Sequence, residues 1–209
     1  MSMDRTSQNI IYHRHQYQLY SGNSFVMASS TPSKHTGDSS VVSLLEFLDL
    51  SQLNCLNESS QHTLKSITGS KSRNASSEYL LSDADEQLLL NIPFNQAVRI
   101  HSILFQTSNE SQAPHIVKIF ANRPSIGFED VEDAEEPDVA QALTLSKEEV
   151  LEGKPVSLRF VRFQHVNSLH IFVALNHGRT DETRIDCIDI FGFPVETTKD
   201  LSGLRNQDD

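Results

Sequence analysis

Residues 79–107 constrain the fold of this chain more than any other stretch. A polar, acidic turn opens the stretch, and an apolar run with three consecutive leucines follows over residues 88–92. Proline donates no backbone hydrogen bond, so Pro93 is predicted to end this first strand. Asn95-Gln96 is then predicted to reverse the chain into a second apolar strand over residues 98–105. Short branched runs separated by Pro and Asn indicate consecutive strands and an all-β protein.

Later segments repeat this pattern. Residues 116–121 are largely apolar on both faces, which is typical of a central strand, and Phe120 and Ile171 are predicted to point inward. A phase break within residues 156–166 predicts a strand with a β-bulge at Phe160-Val161. Short strands with turns about every eight to twelve residues favour a jelly-roll β-sandwich over a barrel.

One short helix is predicted within this sandwich. Ser146 and Glu149 have the spacing of a capping box, and Gly153 followed by Pro155 would end the helix. Residues 59–78 are rich in Ser, Lys and Asn and are predicted to form a loop.

The chain divides into three parts by composition. We expect a disordered leader over residues 1–40, the β-sandwich over residues 41–198 and a polar tail over residues 199–209. Two interpretations of the leader stay open: an organelle transit segment, or an extension that precedes a start at Met27.

The net charge of −11 limits the partners of the chain. An acidic body repels phosphate backbones and anionic lipids, so neither nucleic acid nor membranes are expected partners, and no apolar run approaches the length of a membrane span. A basic protein surface is the better complement. Two cysteines far apart in sequence, Cys55 and Cys187, form no Cys-x-x-Cys pair and suit a reducing compartment.

Motifs for catalysis and for cofactors are absent from the sequence. There is no Gly-x-Ser-x-Gly elbow, P-loop, dinucleotide fingerprint or His-Glu-x-x-His zinc motif. Cys55 has acidic neighbours, which predicts a buried structural thiol instead of a nucleophile. We therefore expect no enzyme activity, no cofactor and no bound metal, with an unrecognised carboxylate pair of a hydrolase as a weak alternative.

Two acidic clusters are the candidate binding sites. The first is the acidic turn, with Asp83, Asp85 and Glu86, which could either bind Ca²⁺ or simply accept backbone hydrogen bonds before a strand. The second is the acidic loop over residues 129–138, which is either a docking patch for a basic partner or a solvated surface. Its carboxylates are Glu129, Asp130, Glu132, Asp133, Glu135, Glu136 and Asp138.

The ordered series of segments in this chain resembles the PITH domain family, the proteasome-interacting thioredoxin domain. The matching segments are residues 55–59 (CLNES), 82–89 (SDADEQLL), 93–96 (PFNQ), 117–120 (VKIF), 161–173 and 192–198 (GFPVETT). The resemblance implies a β-sandwich similar to galactose-binding-like jelly rolls. It also implies association with the proteasome regulatory particle.

This chain resembles a stand-alone form of the family, because it contains no thioredoxin domain and no Cys-x-x-Cys motif. Redox activity is therefore not implied. We expect a non-enzymatic interaction module in the cytoplasm, with the nucleus open as a second compartment and the oligomeric state undetermined. The alternative is a jelly-roll domain that binds a sugar or a calcium ion.

Overall fold

The computed structural model describes residues 40–195. The predicted tail and all of the predicted leader except Ser40 therefore lie outside the described residues. The strands are β1 (Val42–Ser43), β2 (Asn54–Leu56), β3 (Leu80–Leu81), β4 (Leu88–Gln106), β5 (Pro114–Ala121), β6 (Gln141–Thr144), β7 (Val156–Ser157), β8 (Val166–Asn176), β9 (Arg184–Ile185) and β10 (Cys187–Pro194). The α-helices are α1 (Leu64–Thr68), α2 (Phe128–Val131) and α3 (Lys147–Glu152), and 3-10 helices cover Leu45–Phe47 and Phe160–Arg162.

The strands pair in antiparallel fashion throughout the described residues. The larger sheet follows the order β1-β10-β4-β8-β5-β6, with β2 and β7 also paired to β4, and β3 pairs with β9. This arrangement confirms the predicted all-β sandwich. No helix within residues 40–195 is long and apolar enough to cross a membrane.

Strand β4 is a single strand of 19 residues, so the predicted chain reversal at Asn95-Gln96 is wrong. Its first part pairs with β2 and β8, its second part with β7 and β10, and the register with β8 shifts between Pro93 and Val98. Backbone carbonyls at this bulge accept hydrogen bonds from other segments: Pro93 from Asp49 N–H (2.9 Å), and Ala97 from Val195 N–H (2.9 Å). Proline is tolerated at a bulge because no ladder hydrogen bond is required there.

Three α-helices, instead of one, occur among the described residues. The predicted helix α3 is confirmed with its Ser146 cap, and it ends at Gly153 with φ 64°. Helix α1 lies inside the predicted loop at residues 59–78, where Thr63 accepts from Ser66 N–H (3.2 Å) and Leu64 is buried. A helix of five residues gives too short a periodic signal to be recognised in sequence.

The predicted continuous strand over residues 156–166 is also wrong. It is replaced by β7, the 3-10 helix Phe160–Arg162 and the start of β8. The phase break is real, but a helical turn produces it, so that Leu158 and Phe163 are both buried while Val161 is 86% exposed.

Two hydrophobic clusters lie on opposite faces of β5 and β8. The main core includes Ile119 and Ile171, which are register partners, whereas Phe120 packs with Phe172 in a second cluster. Both faces of β5 are therefore apolar, as predicted. The segment that carries the acidic loop covers the second cluster, and it contributes the buried side chain of Val131.

Candidate functional site

The acidic turn is organised around the side chain of Asn57, whose backbone has φ 64°. The amide of Asn57 donates to the Asp85 carbonyl (3.2 Å), to Asp85 Oδ1 (2.8 Å) and to the Gln87 carbonyl (2.7 Å). Its Oδ1 accepts from the backbone N–H of Ala84 (2.9 Å). One asparagine next to the end of β2 thus holds residues 84–87 of the turn in place, and nothing in the spacing of Asn57 and Asp85 reveals this pairing in sequence.

The three carboxylates of the acidic turn have different surroundings. Asp85 Oδ1 also accepts from Gln87 N–H (2.9 Å), whereas the exposed Asp83 makes no side-chain hydrogen bond among the described residues. Glu86 contributes its backbone carbonyl, which accepts from Thr183 Oγ1 (2.6 Å). Within residues 40–195, no three His, Cys, Asp or Glu side chains are placed to hold a metal ion. The geometry favours the turn-forming interpretation of this cluster.

The acidic loop presents all seven of its carboxylates at the surface. Three of them are engaged: Asp130 accepts from Gly127 N–H (2.9 Å), Asp138 pairs with Arg123 (2.9 Å), and Glu136 pairs with Arg159. The other four make no side-chain hydrogen bond or ion pair among the described residues, and these are Glu129, Glu132, Asp133 and Glu135.

Lys118 on β5 fixes the position of the acidic loop. Its ammonium group donates to the backbone carbonyls of Val131 (3.2 Å), Glu132 (2.6 Å) and Ala134 (3.0 Å), so it caps the C-terminal end of α2. A cation at this end of a helix also interacts favourably with the helix dipole. Together with the buried Val131, Lys118 anchors the acidic loop to the sheet. The segment that carries the exposed carboxylates therefore has a defined position on the sheet.

A polar pocket of about 560 Å³ lies on the sheet beside the acidic loop, and sequence reasoning missed it. Its floor comes from β2, β4 and β8, and its rim from the segment that follows β5. The polar lining residues are Gln52, Asn54, Asn91, Arg123, Ser125, Asn167, Ser168 and His170, and the others are Leu56, Ile92, Pro93, Phe94, Pro124 and Ile126.

A chain of hydrogen bonds crosses the floor of this pocket. His170 Nδ1 lies 2.8 Å from Asn91 Oδ1, and Asn91 Nδ2 donates to Asn54 Oδ1 (2.8 Å). Ser168 Oγ lies 3.2 Å from His170 Nε2. Because Asn91 Oδ1 can only accept, His170 donates from Nδ1, and in the neutral ring Nε2 accepts from Ser168. Burial lowers the pKa of His170, which favours this neutral form.

The signal for this pocket in sequence is weak. Asn91 and His170 are polar residues within otherwise apolar strands, but one polar residue in each strand does not distinguish a pocket floor from a satisfied core side chain. The cross-strand register that pairs Asn91 with His170 is known only from the structure.

Neither cysteine has the surroundings of a nucleophile. Both thiols are free and buried. Burial raises the pKa of Cys55 well above its ordinary value, and the nearby Glu58 carboxylate adds to this effect. Burial also raises the pKa of Cys187. A protonated, inaccessible thiol is a structural residue, as predicted for Cys55.

The fold and its surface features define an antiparallel β-sandwich with an anchored acidic loop and a polar pocket on one face. Comparison with known proteins agrees with this class: residues 34–208 match the model of the PITH domain. The chain belongs to the PITH domain family.

Three relatives are each similar over about 70% of this chain. Thioredoxin-like protein 1 of Schizosaccharomyces pombe is 38% identical over 147 residues, which are 69% of this chain and 49% of that protein. PITH domain-containing protein CG6153 of Drosophila melanogaster is 36% identical, over 72% of this chain and 69% of that protein. Human PITH domain-containing protein 1 is 32% identical, over 69% of this chain and 66% of that protein. The chain thus spans about half the length of thioredoxin-like protein 1.

Solved structures share the fold at low sequence identity. The family 32 CBM from C. perfringens NanJ, solved in complex with galactose, has a TM-score of 0.52 at 11% identity, over 72% of this chain and 98% of that chain. The SusE-like protein BT2857 has a TM-score of 0.51 at 11% identity, over 75% of this chain and 68% of that chain. These similarities support the galactose-binding-like sandwich as a fold.

Proposed function

We propose that this chain is a non-enzymatic protein-interaction module that associates with the proteasome regulatory particle through its acidic loop. Membership of the PITH family supports the choice of partner. The observation that carries the choice of surface is the set of four carboxylates without a bond among the described residues, on a loop that Lys118 and Val131 hold against the sheet. An anchored acidic surface can attract a basic surface without a large ordering entropy.

The division into a leader (residues 1–40), an interaction domain (residues 41–198) and a tail (residues 199–209) is part of this proposal. The location in the cytoplasm and nucleus is also part of this proposal. The same holds for the assignment of both acidic clusters as binding residues. The buried thiols support a role without catalysis, because neither is available as a nucleophile.

Pull-down of proteasomes from native cell extract by the tagged full chain tests the acidic loop. In the test variant, Glu132→Gln, Asp133→Asn and Glu135→Gln remove three charges that form no described bond. In the matched control, Glu46→Gln, Glu78→Gln and Asp181→Asn remove three exposed charges elsewhere.

The test variant should keep the parent melting temperature and lose most proteasome recovery, while the control should recover as much as the parent. The difference in proteasome recovery between the control and the test variant should shrink at high salt. Salt screens the attraction between charges, and the screening length is already about 8 Å at physiological ionic strength. Equal recovery by the two variants at low and physiological salt would contradict a role of the loop.

A second candidate function is the binding of a sugar, and the polar pocket is the observation that favours it. Its volume of about 560 Å³ is within the usual range for small ligands, and its hydrogen-bond chain begins at Ser168, whose hydroxyl oxygen can still accept. The hydroxyl groups of a sugar both donate and accept hydrogen bonds, and they would complement the polar floor of this pocket. The geometry of the acidic turn offers no comparable support for a calcium site.

A thermal-shift panel of neutral monosaccharides and calcium tests this second candidate. A ligand at a hundred times its Kd should stabilise the full chain by about 2.7 kcal/mol. Ser168→Ala should reduce a shift caused by a sugar, whereas Ser70→Ala, at an exposed serine distant in sequence, should not. No shift with any sugar would leave the interaction module as the better account.

A further inference from the structure

A small apolar surface with a positive rim lies where the predicted strand 156–166 is interrupted. We call it the Phe160 surface and define it by Arg99, His101, Phe160, Val161, Arg162 and Phe193. The Phe160 ring lies 6.4 Å from the His101 ring and 6.3 Å from the Phe193 ring, between centroids. Phe160 is 38% exposed and Val161 is 86% exposed, so two large apolar side chains that are adjacent in sequence face solvent.

Backbone hydrogen bonds hold both ends of this segment on β4. Leu158 N–H donates to the His101 carbonyl (2.9 Å), and Ile100 N–H donates to the Phe163 carbonyl (2.9 Å). The side chains of Leu158 and Phe163 are buried on either side of the 3-10 helix. Exposure of Phe160 and Val161 is therefore a fixed consequence of the fold.

The charge around the Phe160 surface is opposite to that of the whole chain. Arg99 and Arg162 are exposed, and neither forms an ion pair within residues 40–195, whereas Arg159 pairs with Glu136 at the edge of the acidic loop. These two guanidinium groups, which have no carboxylate partner among the described residues, flank apolar side chains on a chain with a net charge of −11. A local positive rim favours an acidic segment that is held close to it, because charges are screened beyond about 8 Å at physiological ionic strength.

We propose that the Phe160 surface binds an acidic protein segment in which carboxylates flank an aliphatic or aromatic side chain. Guanidinium groups can hold carboxylates in paired hydrogen bonds, and the apolar side chain would cover Val161 and Phe160. A peptide is favoured over a nucleic acid as the occupant, because Val161, which is 86% exposed, offers no stacking plane to a base. This surface adjoins the acidic loop at the Arg159–Glu136 ion pair, but it shares no defining residue with the loop and its rim has the opposite charge.

Fluorescence anisotropy with the full chain and a short labelled peptide tests the proposal. In the probe peptide, Asp and Glu alternate with Leu and Phe. One comparison peptide carries Ser in place of Leu and Phe, and another carries Lys in place of Asp and Glu. The acidic apolar peptide should bind most tightly, with an affinity that falls as salt is raised.

Single substitutions in the chain locate the site. Val161→Ser removes the apolar contact of a side chain that is 86% exposed. It should weaken binding about fifteenfold, because two methyl groups are lost at roughly a factor of four each. Arg162→Gln should weaken binding and flatten its salt dependence. Val41→Ser and Lys65→Gln are matched controls at exposed positions outside the Phe160 surface and should leave the affinity unchanged.

Several results would overturn the proposal. These are equal affinities for the parent, Val161→Ser and Arg162→Gln, or tighter binding of either the Lys peptide or a labelled single-stranded oligonucleotide. Self-association that Val161→Ser abolishes in sedimentation would assign the surface to a second copy of the chain instead. The assay contains no proteasome, and the acidic-loop variant should bind the peptide at least as well as the parent, so the two proposals fail independently.

Discussion

Replacement of Asn57, which is only partly buried, should strongly destabilise the protein, because its side chain makes four hydrogen bonds to the acidic turn. Asn57→Ala removes the amide that contacts the Asp85 and Gln87 carbonyls, Asp85 Oδ1 and Ala84 N–H. After the loss, only backbone contacts, such as the hydrogen bond from Asp83 N–H to the Asn57 carbonyl (3.0 Å), connect the turn before β4 to the end of β2. Stability, not binding, is therefore the first property that should change.

The expected magnitude has two parts. A protein hydrogen bond contributes about 1 kcal/mol net, and because some of these partners can regain water we expect a loss of about 2–3 kcal/mol for the four contacts together. Alanine at φ 64° adds about 1 kcal/mol, because its Cβ is crowded in the left-handed region that asparagine and glycine tolerate better. The sum is about 3–4 kcal/mol, a large share of the stability of an ordinary domain.

Urea unfolding of the parent, Asn57→Ala and Asn57→Gly separates the two parts. Glycine loses the side-chain contacts but adopts positive φ without strain, so Asn57→Gly should be about 1 kcal/mol more stable than Asn57→Ala. Asn167→Ala is the control, because this exposed side chain makes no described hydrogen bond and should change stability by less than about 0.5 kcal/mol. If Asn57→Ala unfolds at the same urea concentration as the parent, the acidic turn does not depend on this amide.

Three further perturbations have defined outcomes. Phe120→Ala should cost about 3–5 kcal/mol in urea unfolding because it empties the second cluster, while an unchanged midpoint would show that this cluster adds little. Gly192→Ala should lower the melting temperature sharply, because a Cβ there would overlap the Arg99 carbonyl oxygen at the β10 bulge; parent-like melting would mean that the bulge can shift. Burial lowers the pKa of His170 in the folded protein, so as the pH falls the unfolded chain binds this proton before the folded protein does. The free energy of unfolding should therefore decrease as the pH drops through about 6.5. His170→Gln should reduce that pH dependence of the melting temperature, and an identical dependence in both proteins would exclude His170 as a source.

Local sequence rules succeeded where one segment determines its own structure. The capping box at Ser146 and the left-handed Gly153 depend only on residues within the helix, and both are present. Ile188 and Ile190 have the period-two spacing of one strand face, and both are fully buried. Period-two alternation likewise separated the two apolar faces of β5.

The failures concern residues whose partners are distant in sequence. Pro93 was interpreted as a strand end, but its carbonyl accepts from Asp49, and a bulge needs no proline N–H. Asn57 and Asp85 lie 28 residues apart, and no local rule pairs them. The polar pocket requires the register between β4 and β8, which a single sequence does not specify.

The length of β4 has a consequence for the order in which the chain can fold. One edge of its second half is closed by β10, which ends at Pro194, close to the last described residue. During synthesis from the N-terminus, Ile103 and Phe105 therefore have no strand partner on this edge until residues about 85 positions later, such as Ile190 and Ile188, have been made. Until then the unpaired edge of β4 is open to other chains in the cell, a hazard for any exposed strand edge. Completion of this sandwich is a late event that needs nearly the whole translated domain at once.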